Sequence, residues 1–577
     1  MMADSALSYP YDLGSYIARG SELVSGKGDA DTWFCRGLVW CFGFHHEEAE
    51  RCFRAGIEAD PSSIMNYWGL VYAVSPDYNR DWDSFDEAET DTAFTIVDDA
   101  LAKAGALLAD ATPVQHALID ALGALYPADR SSNKAAWVAD YATALAAVYA
   151  EQGDLLDVAC LYAEALMNKT PWSLWNLATG TPADGADTLT AKAVLERALD
   201  APGGRQHPGL LHFHIHLMEM SPTPESALIS ADSLRGLVPD SGHLQHMPTH
   251  IDVLCGHYQN VITWNHHAIN ADRIALELDG PINMYSLYRC HNLHFKLYGA
   301  MFAGNLATAR ATADEMERQL TPQLIATEHP PMADWLEGFV PMRLHVLIRF
   351  GLWDDILNVP FPDDRTLFCT TTAMLHYART VALTLTDRIP EAQAEASLFE
   401  SAVKKVPESR YVFNNTCIDI LAIAREMMFG ELEYGRGHIA AGFGRLRAAV
   451  ALDDALPYDE PWGWMQPTRH ALGALLLEQG EIQAAADVYR ADLGFDDTLS
   501  RACQHPENVW SLHGYHECLV QLGRNDEARI IRQRLDLALA RSDVDITSSC
   551  FCRRDDGRSE EVATVTRQDG IPRAFRP

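Results

Sequence analysis

Basic side chains are scarce in this chain. Lys and Arg number 45 against 80 Asp and Glu, a formal charge of −35, and a surface of that sign repels phosphate backbones and anionic headgroups. Nucleic acid and membrane are therefore excluded as expected partners. No apolar run reaches the roughly 18 residues of a membrane span, and the opening MMADSALSYPYDLG has no charged, apolar and cleavable signal pattern. The expected location is cytoplasmic. Disulfide-framework spacing is missing too: the twelve cysteines are scattered from Cys35 to Cys552 and, in a reducing compartment, read as small core residues. The one close pair, Cys550 and Cys552 in SSCFCRR, offers a Cys-x-Cys metal ligand within a terminal stretch, residues 546–577, that reads as a tail.

Alternating strand patterns are scarce as well, which argues against a β-rich fold. Apolar residues instead recur at i, i+3, i+4 and i+7, as in YATALAAVYAEQ and AAADVYRADL, so the chain is expected to be all α. One turn repeats along it, a Gly followed five residues later by a small or β-branched residue. It occurs as Gly153 with Val158, Gly256 with Val261, Gly304 with Ala309, Gly351 with Ile356, Gly480 with Ala485 and Gly523 with Ala528. The Gly ends one helix and the small residue lets the antiparallel partner approach. HHEEAERCFRAGIEADP, closing at Pro61, and ALISADSLRGLVP, closing at Pro239, look like second helices of such units. On these features the chain resembles tetratricopeptide repeat proteins, whose unit is a helix, a turn and a helix. The resemblance implies a helical-hairpin solenoid with degenerate units and loop inserts. The expected organisation is N-terminal repeats at 1–120, central repeats at 121–355, C-terminal repeats at 356–545 and the tail. Among the breaks, ALPYDEPWGWMQPTR at 455–469 is both aromatic and Pro-rich. It either covers the end of the core or lids a pocket, with Tyr458, Glu460, Trp462, Trp464 and Arg469 as candidate linings.

Histidines are abundant in one region. Twelve of the 23 lie between His207 and His294, where uniform scatter would put roughly three to four. In LHFHIHLMEM, helical spacing puts His212, His216 and Glu219 on one stripe and turns His214 to another face. His246 and His250 follow in GHLQHMPTHI, each 34 residues after His212 and His216. Equivalent helices of a stacked array lie side by side, so these four imidazoles are expected to reach a common centre. In CHNLHF, counting back from Gly304 puts His294 in the register of His246, and His291 in that of His243, counted from Gly256. Tyr298 takes the place of His250. Pro248 means a helix that starts or kinks beside the cluster. His45 and His46 are expected as capping and surface residues, and His376, His438, His470 and His513 as hydrogen-bonded core.

Imidazole-rich ligation suits copper, iron, nickel or zinc and disfavours magnesium and calcium. Thiolates are missing from the cluster, apart from Cys255 and Cys290 nearby, which disfavours a closed Cys-type zinc site. The expected cofactor is one or two transition-metal ions per chain, copper or iron ahead of zinc, held by His212, His216, His246, His250, His291 and His294. Glu219 is expected as general base and Tyr298 as proton donor. LYAEALMNKTPWSLW, HFHIHLMEMSPTPESAL, GHLQHMPTHI and HNLHF resemble segments of a group of large His-rich tetratricopeptide proteins of bacteria and fungi. That resemblance implies that the histidine cluster is a group feature. The expected function is a metal-dependent enzyme, an oxidoreductase ahead of a hydrolase or lyase, acting on a small organic molecule in the concave groove. The competing expectation is a non-catalytic scaffold that takes a protein partner through that groove.

Overall fold

The computed structural model describes residues 9–26, 28–130 and 133–553. The reading of a terminal tail falls, beyond Arg553, outside the described residues. The chain is all α, built as consecutive antiparallel hairpins from Asp29–Phe42 with His46–Ala59 to Val509–Gln521 with Asn525–Leu539. Four two-residue strands pair as two small hairpins, Trp175–Asn176 with Thr181–Pro182 and Tyr411–Val412 with Asn415–Thr416. Among the described residues no helix is long and apolar enough to cross a membrane.

The recurring turn has one geometry. Gly256, Gly304, Gly351, Gly480 and Gly523 sit at φ 66° to 77°, and each next helix begins two residues on. The first helix ends with a bond from the residue after the Gly back to a carbonyl five residues earlier, as from Asn305 N–H to Ala300, which satisfies an otherwise orphaned carbonyl. Gly437 belongs to the same set at φ 83°, although its unit escapes the sequence pattern. Gly153 does not belong, because its φ is −69° and the next helix starts a residue later, at Leu156. Two other residues stand in the glycine slot, Asp387 at φ 59° and Phe44 at φ 54°. His45 N–H donates to the Trp40 carbonyl at 3.0 Å, the same closure.

The array folds back on itself. Near the start, the Tyr16 hydroxyl donates to Asp157 Oδ1 and the Ser21 hydroxyl to Oδ2, each at 2.6 Å. Near the end, Trp510 Nε1–H donates to the Met301 carbonyl at 2.8 Å and Arg501 to that of Leu254 at 2.8 Å. The Asp543 carboxylate accepts the Leu306 and Ala307 N–H groups. Both ends therefore enclose the central hairpins that carry the histidine cluster. Cys550 and Cys552 are joined by a disulfide, so they are not the free thiolate pair that metal binding requires.

Candidate metal centre

Three elements present the imidazoles. They are the helix Pro208–Glu219, the pair Gly242–His246 and Pro248–Leu254, and the helix Ser286–Phe302. Pro248 is the first residue of its helix, where a missing N–H costs least. The histidines assemble into two triads, His212 with His216 and His243, and His246 with His250 and His291, each with its ligand atoms within 4.8 Å of one another. All are buried; His291, at 9%, is the most exposed.

The two triads are copies of one pattern, one repeat apart. Each takes a four-spaced pair from one unit and a single histidine from the next. His243 and His291 lie equally far before their turn glycines, Gly256 and Gly304. His294 opens a third copy that is incomplete, because Tyr298 replaces its partner and Gly338 stands where the third imidazole would be, counted back from Gly351. His294 is accordingly outside the triads, and its Nε2 lies 2.8 Å from Met465 Sδ. Six of the imidazoles thus form two adjacent triads, since each pair reaches forward to a third ring, and His216, Glu219 and His250 form a further group that spans the two.

Hydrogen bonds orient the rings. His212 Nδ1–H donates to the Phe42 carbonyl at 2.6 Å, which can only accept. His246 Nδ1–H donates to Asn265 Oδ1 at 2.7 Å, and Asn265 is held that way round because its Nδ2 donates to the Val261 carbonyl at 2.9 Å. Both rings therefore turn an unprotonated Nε2 inward. Glu219 joins the triads. Burial raises the Glu219 carboxyl well above the usual carboxylate range; in its ionised form it accepts from His216 Nδ1–H at 2.9 Å and from His250 Nδ1–H at 2.7 Å, which leaves Nε2 of both rings as lone pairs. His246 Nε2 and His250 Nε2 are 2.7 Å apart, and His212 Nε2 and His243 Nε2 are 3.1 Å apart. His216 Nε2 has no partner. The facing lone pairs of His246 and His250 repel unless a cation lies between them, whereas His243, whose Nδ1 has no partner, is free to carry its proton on Nε2 and donate to His212 Nε2. Burial keeps the imidazoles neutral by pushing their pKa values down, to about 3 for His216 and His246, and neutral is the form that binds metal.

Glu219, the general base expected from the stripe, turns both oxygens to ring N–H groups, as a carboxylate that orients ligating imidazoles does, and belongs with His216 and His250 to a candidate ligand group. Tyr298 is not in the site: its ring stacks on Phe302 at 4.2 Å, and the acids that act on its phenol are Asp492 and Asp453. His214 pairs with Ser230. The 455–469 loop is buried against the site. Glu460 Oε2 lies 3.6 Å from His250 Nδ1, and burial, then the charge of Glu219, raises the Glu460 carboxyl well above the usual range. Tyr458 faces the same acids, whereas Trp462 donates to Asp453, Trp464 packs on His345, and Arg469 pairs with Asp454. His376 and His470 are core residues paired with Glu395 and Asp492. His438, by contrast, is exposed beside Glu433, and His513 is half-buried with Nδ1 unpaired. His45 departs from the surface role expected of it: it is 2% exposed. Half-buried His46 meets Asp77 at 3.2 Å.

Three aromatic rings close over the triads from backbone positions that normally take glycine. Phe44, in the helix-end slot, lies 4.7 Å from His212 and 5.3 Å from His243. Trp172, φ 57°, is third in a turn closed by Ser173 N–H to Thr170 O, with Pro171 second, and its ring meets His216 at 5.9 Å. Phe413, φ 48°, is first in the two-residue connection between Val412 and Asn415, and meets His291 at 4.6 Å. Left-handed backbone costs a bulky residue about 1–3 kcal/mol. Only five described non-glycine residues adopt it, and three of them lie on candidate ligands.

The sequence reading passes over these rings, and over His243 as a ligand although its register is that of His291. No protein-family model matches the chain, and no curated protein matches it. A solved chain from "Structure of Naa15/Naa10 bound to HypK-THB" is similar over 89% of this chain and 70% of its own length, at 12% identity and a TM-score of 0.21.

Proposed function

We propose that this chain is a metal-dependent enzyme in which two transition-metal ions, one per triad, act on a small organic molecule. The observation that carries the reading is the set of hydrogen bonds fixing Nδ1–H on His212 and His246, and on His216 and His250 through Glu219. Ligating histidines commonly donate their second nitrogen to a carbonyl or carboxylate in this way. Three imidazoles per ion leave a coordination position open, as a catalytic site needs and a structural one does not. The all-nitrogen donor set favours copper or iron, hence oxidoreductase chemistry; zinc in the same sites would supply activated water for hydrolysis. In either case the protein's part is to orient the rings through Phe42, Asn265 and Glu219 and to exclude water with Phe44, Trp172 and Phe413.

Elemental analysis of untagged protein tests the proposal, with an expectation of about two ions per chain. His212→Ala with His243→Ala should remove one ion, and His246→Ala with His250→Ala the other. Fewer than about 0.2 ion per chain, unchanged by either double variant, sinks it.

A further inference from the structure

A pocket of ≈ 390 Å³ opens beside the first triad, between the turn at Phe44 and the start of the Ser286–Phe302 helix. That volume falls within the usual range for small-molecule sites. Phe44 and Tyr288 line the pocket and each also touches His243, at 5.3 and 4.9 Å, so two rings separate its interior from the ligands. Phe85 and Tyr285 add aromatic wall. His45 lies flat against Tyr285, with 3.9 Å between centroids and 14° between planes. Both of its ring nitrogens are buried without a partner. An imidazole left bare at both nitrogens is unfavourable unless something occupies them, and the pocket is the space it lines.

Charge limits the occupant. Glu47, Glu50, Asp77 and Glu89 line the pocket against one cation, Arg80. Arg80 is already committed to Glu89 at 2.7 Å, and His46 to Asp77. Among the lining residues the one arginine is thus ion-paired, though its Nε has no hydrogen-bond partner, and four carboxylates repel an incoming carboxylate or phosphate. Aromatic walls favour a planar ring, and His45, held neutral by burial, offers one acceptor and one donor to a hydroxyl or amine.

We infer that this pocket is the substrate chamber of the His212, His216 and His243 centre, and that it takes a neutral or cationic aromatic molecule, a phenol or an arylalkylamine, in preference to an aromatic acid. The inference rests on the proposed metal centre for its chemistry but not for its binding.

Calorimetric titration of the full chain, metal-free and copper-loaded, with tyramine and with 4-hydroxyphenylacetate separates the two. Tyramine should bind both forms, at least about tenfold more tightly than the acid. His45→Phe keeps the stack on Tyr285 but removes both nitrogens; it should weaken tyramine by about fivefold or more without changing metal content. Glu50→Gln with Glu89→Gln, which leaves the buried residues alone, should narrow the preference for amine over acid. Tyramine should also shift the copper spectrum, an effect lost in His212→Ala with His243→Ala and kept in His246→Ala with His250→Ala. Equal binding of the acid, or no response of tyramine affinity to both sets of pocket variants, overturns the chamber. A spectrum unmoved by bound tyramine overturns its assignment to this triad. Absence of metal with tyramine binding intact overturns only the metal centre.

Discussion

Phe44, Trp172 and Phe413 occupy backbone positions where any side chain is strained, and each covers an imidazole. The strain separates from the packing when two truncations are compared. Phe44→Ala and Phe44→Gly delete the same ring and leave the same cavity, but only Gly is at ease at φ 54°. Phe44→Gly is expected to be more stable than Phe44→Ala by about 1 kcal/mol in chemical denaturation, the reverse of the order found in helices. Equal stabilities would mean that the turn relaxes once the ring is gone and holds no strain for the site. A second residue-scale effect lies far from the triads. Glu431 is buried, and burial alone pushes its carboxyl up from 4.5 to about 8. A raised folded pKa means that the folded chain holds the proton more tightly, so this contribution is complete below about 4.5 and lost as pH rises through about 8. Below about pH 7 the buried histidines, their pKa values lowered to about 3 for His216 and His246, act in the opposite direction, so the effect is read between about pH 7 and about pH 8.5, where the melting temperature should fall less in Glu431→Gln than in the parent. Glu164, also raised to about 8 by burial, leaves a remainder of the same sign. A variant that loses as much as the parent excludes Glu431 as a source.

At the scale of elements, the break at Met247 divides what would otherwise be one helix. His250 N–H donates to the Met247 carbonyl at 3.1 Å, a tighter turn than the α-helix, and the Thr249 hydroxyl donates to the His246 carbonyl at 2.7 Å. Pro248→Ala restores an N–H and lets the helix run through. Stability should hold within about 1 kcal/mol, since a Pro at the first helical position lacks only an N–H that a helix start leaves unpaired, while metal in the second triad should fall as His246 and His250 separate. Unchanged metal content with unchanged stability would reduce Pro248 to a helix start. The same scale shows what the sequence made legible. The 34-residue recurrence of His212 and His216 as His246 and His250 is readable because a repeat copies register, and the turn glycines are readable for the same reason. Phe44 is not, because an aromatic in a glycine slot looks like a lost repeat. Nor is the contact of Glu460 with His250, which exists only because the array folds back and brings a distant loop onto the centre. Expectations for Glu219 and Tyr298 followed face and spacing correctly on the helix. What they lacked was the partner on another element, His250 for Glu219 and the acids Asp492 and Asp453 for Tyr298.

For the molecule as a whole, the candidate centre joins parts of the chain that local helix packing does not. Ligands come from residues 212 to 291, the covering rings from 44, 172 and 413, and the carboxyl of Glu460 from the 455–469 loop. An ion that binds only this assembled state stabilises all of these contacts together, by an amount that grows with its concentration relative to its dissociation constant. Chelator treatment is therefore expected to lower the melting temperature by several degrees. Without the ions the bare Nε2 lone pairs of His246 and His250 repel, and relief comes by parting the second triad from the surfaces around it. Limited proteolysis should then cut first within the 455–469 loop, which is buried against His250 and His294 while the centre is intact. The double variant His246→Ala with His250→Ala removes that repulsion along with one ion, so chelator should shift its melting temperature less and leave its loop protected. A protein that carries its metal, loses it to chelator, and yet melts and resists protease as before would show that the fold, not the ions, holds the two triads together.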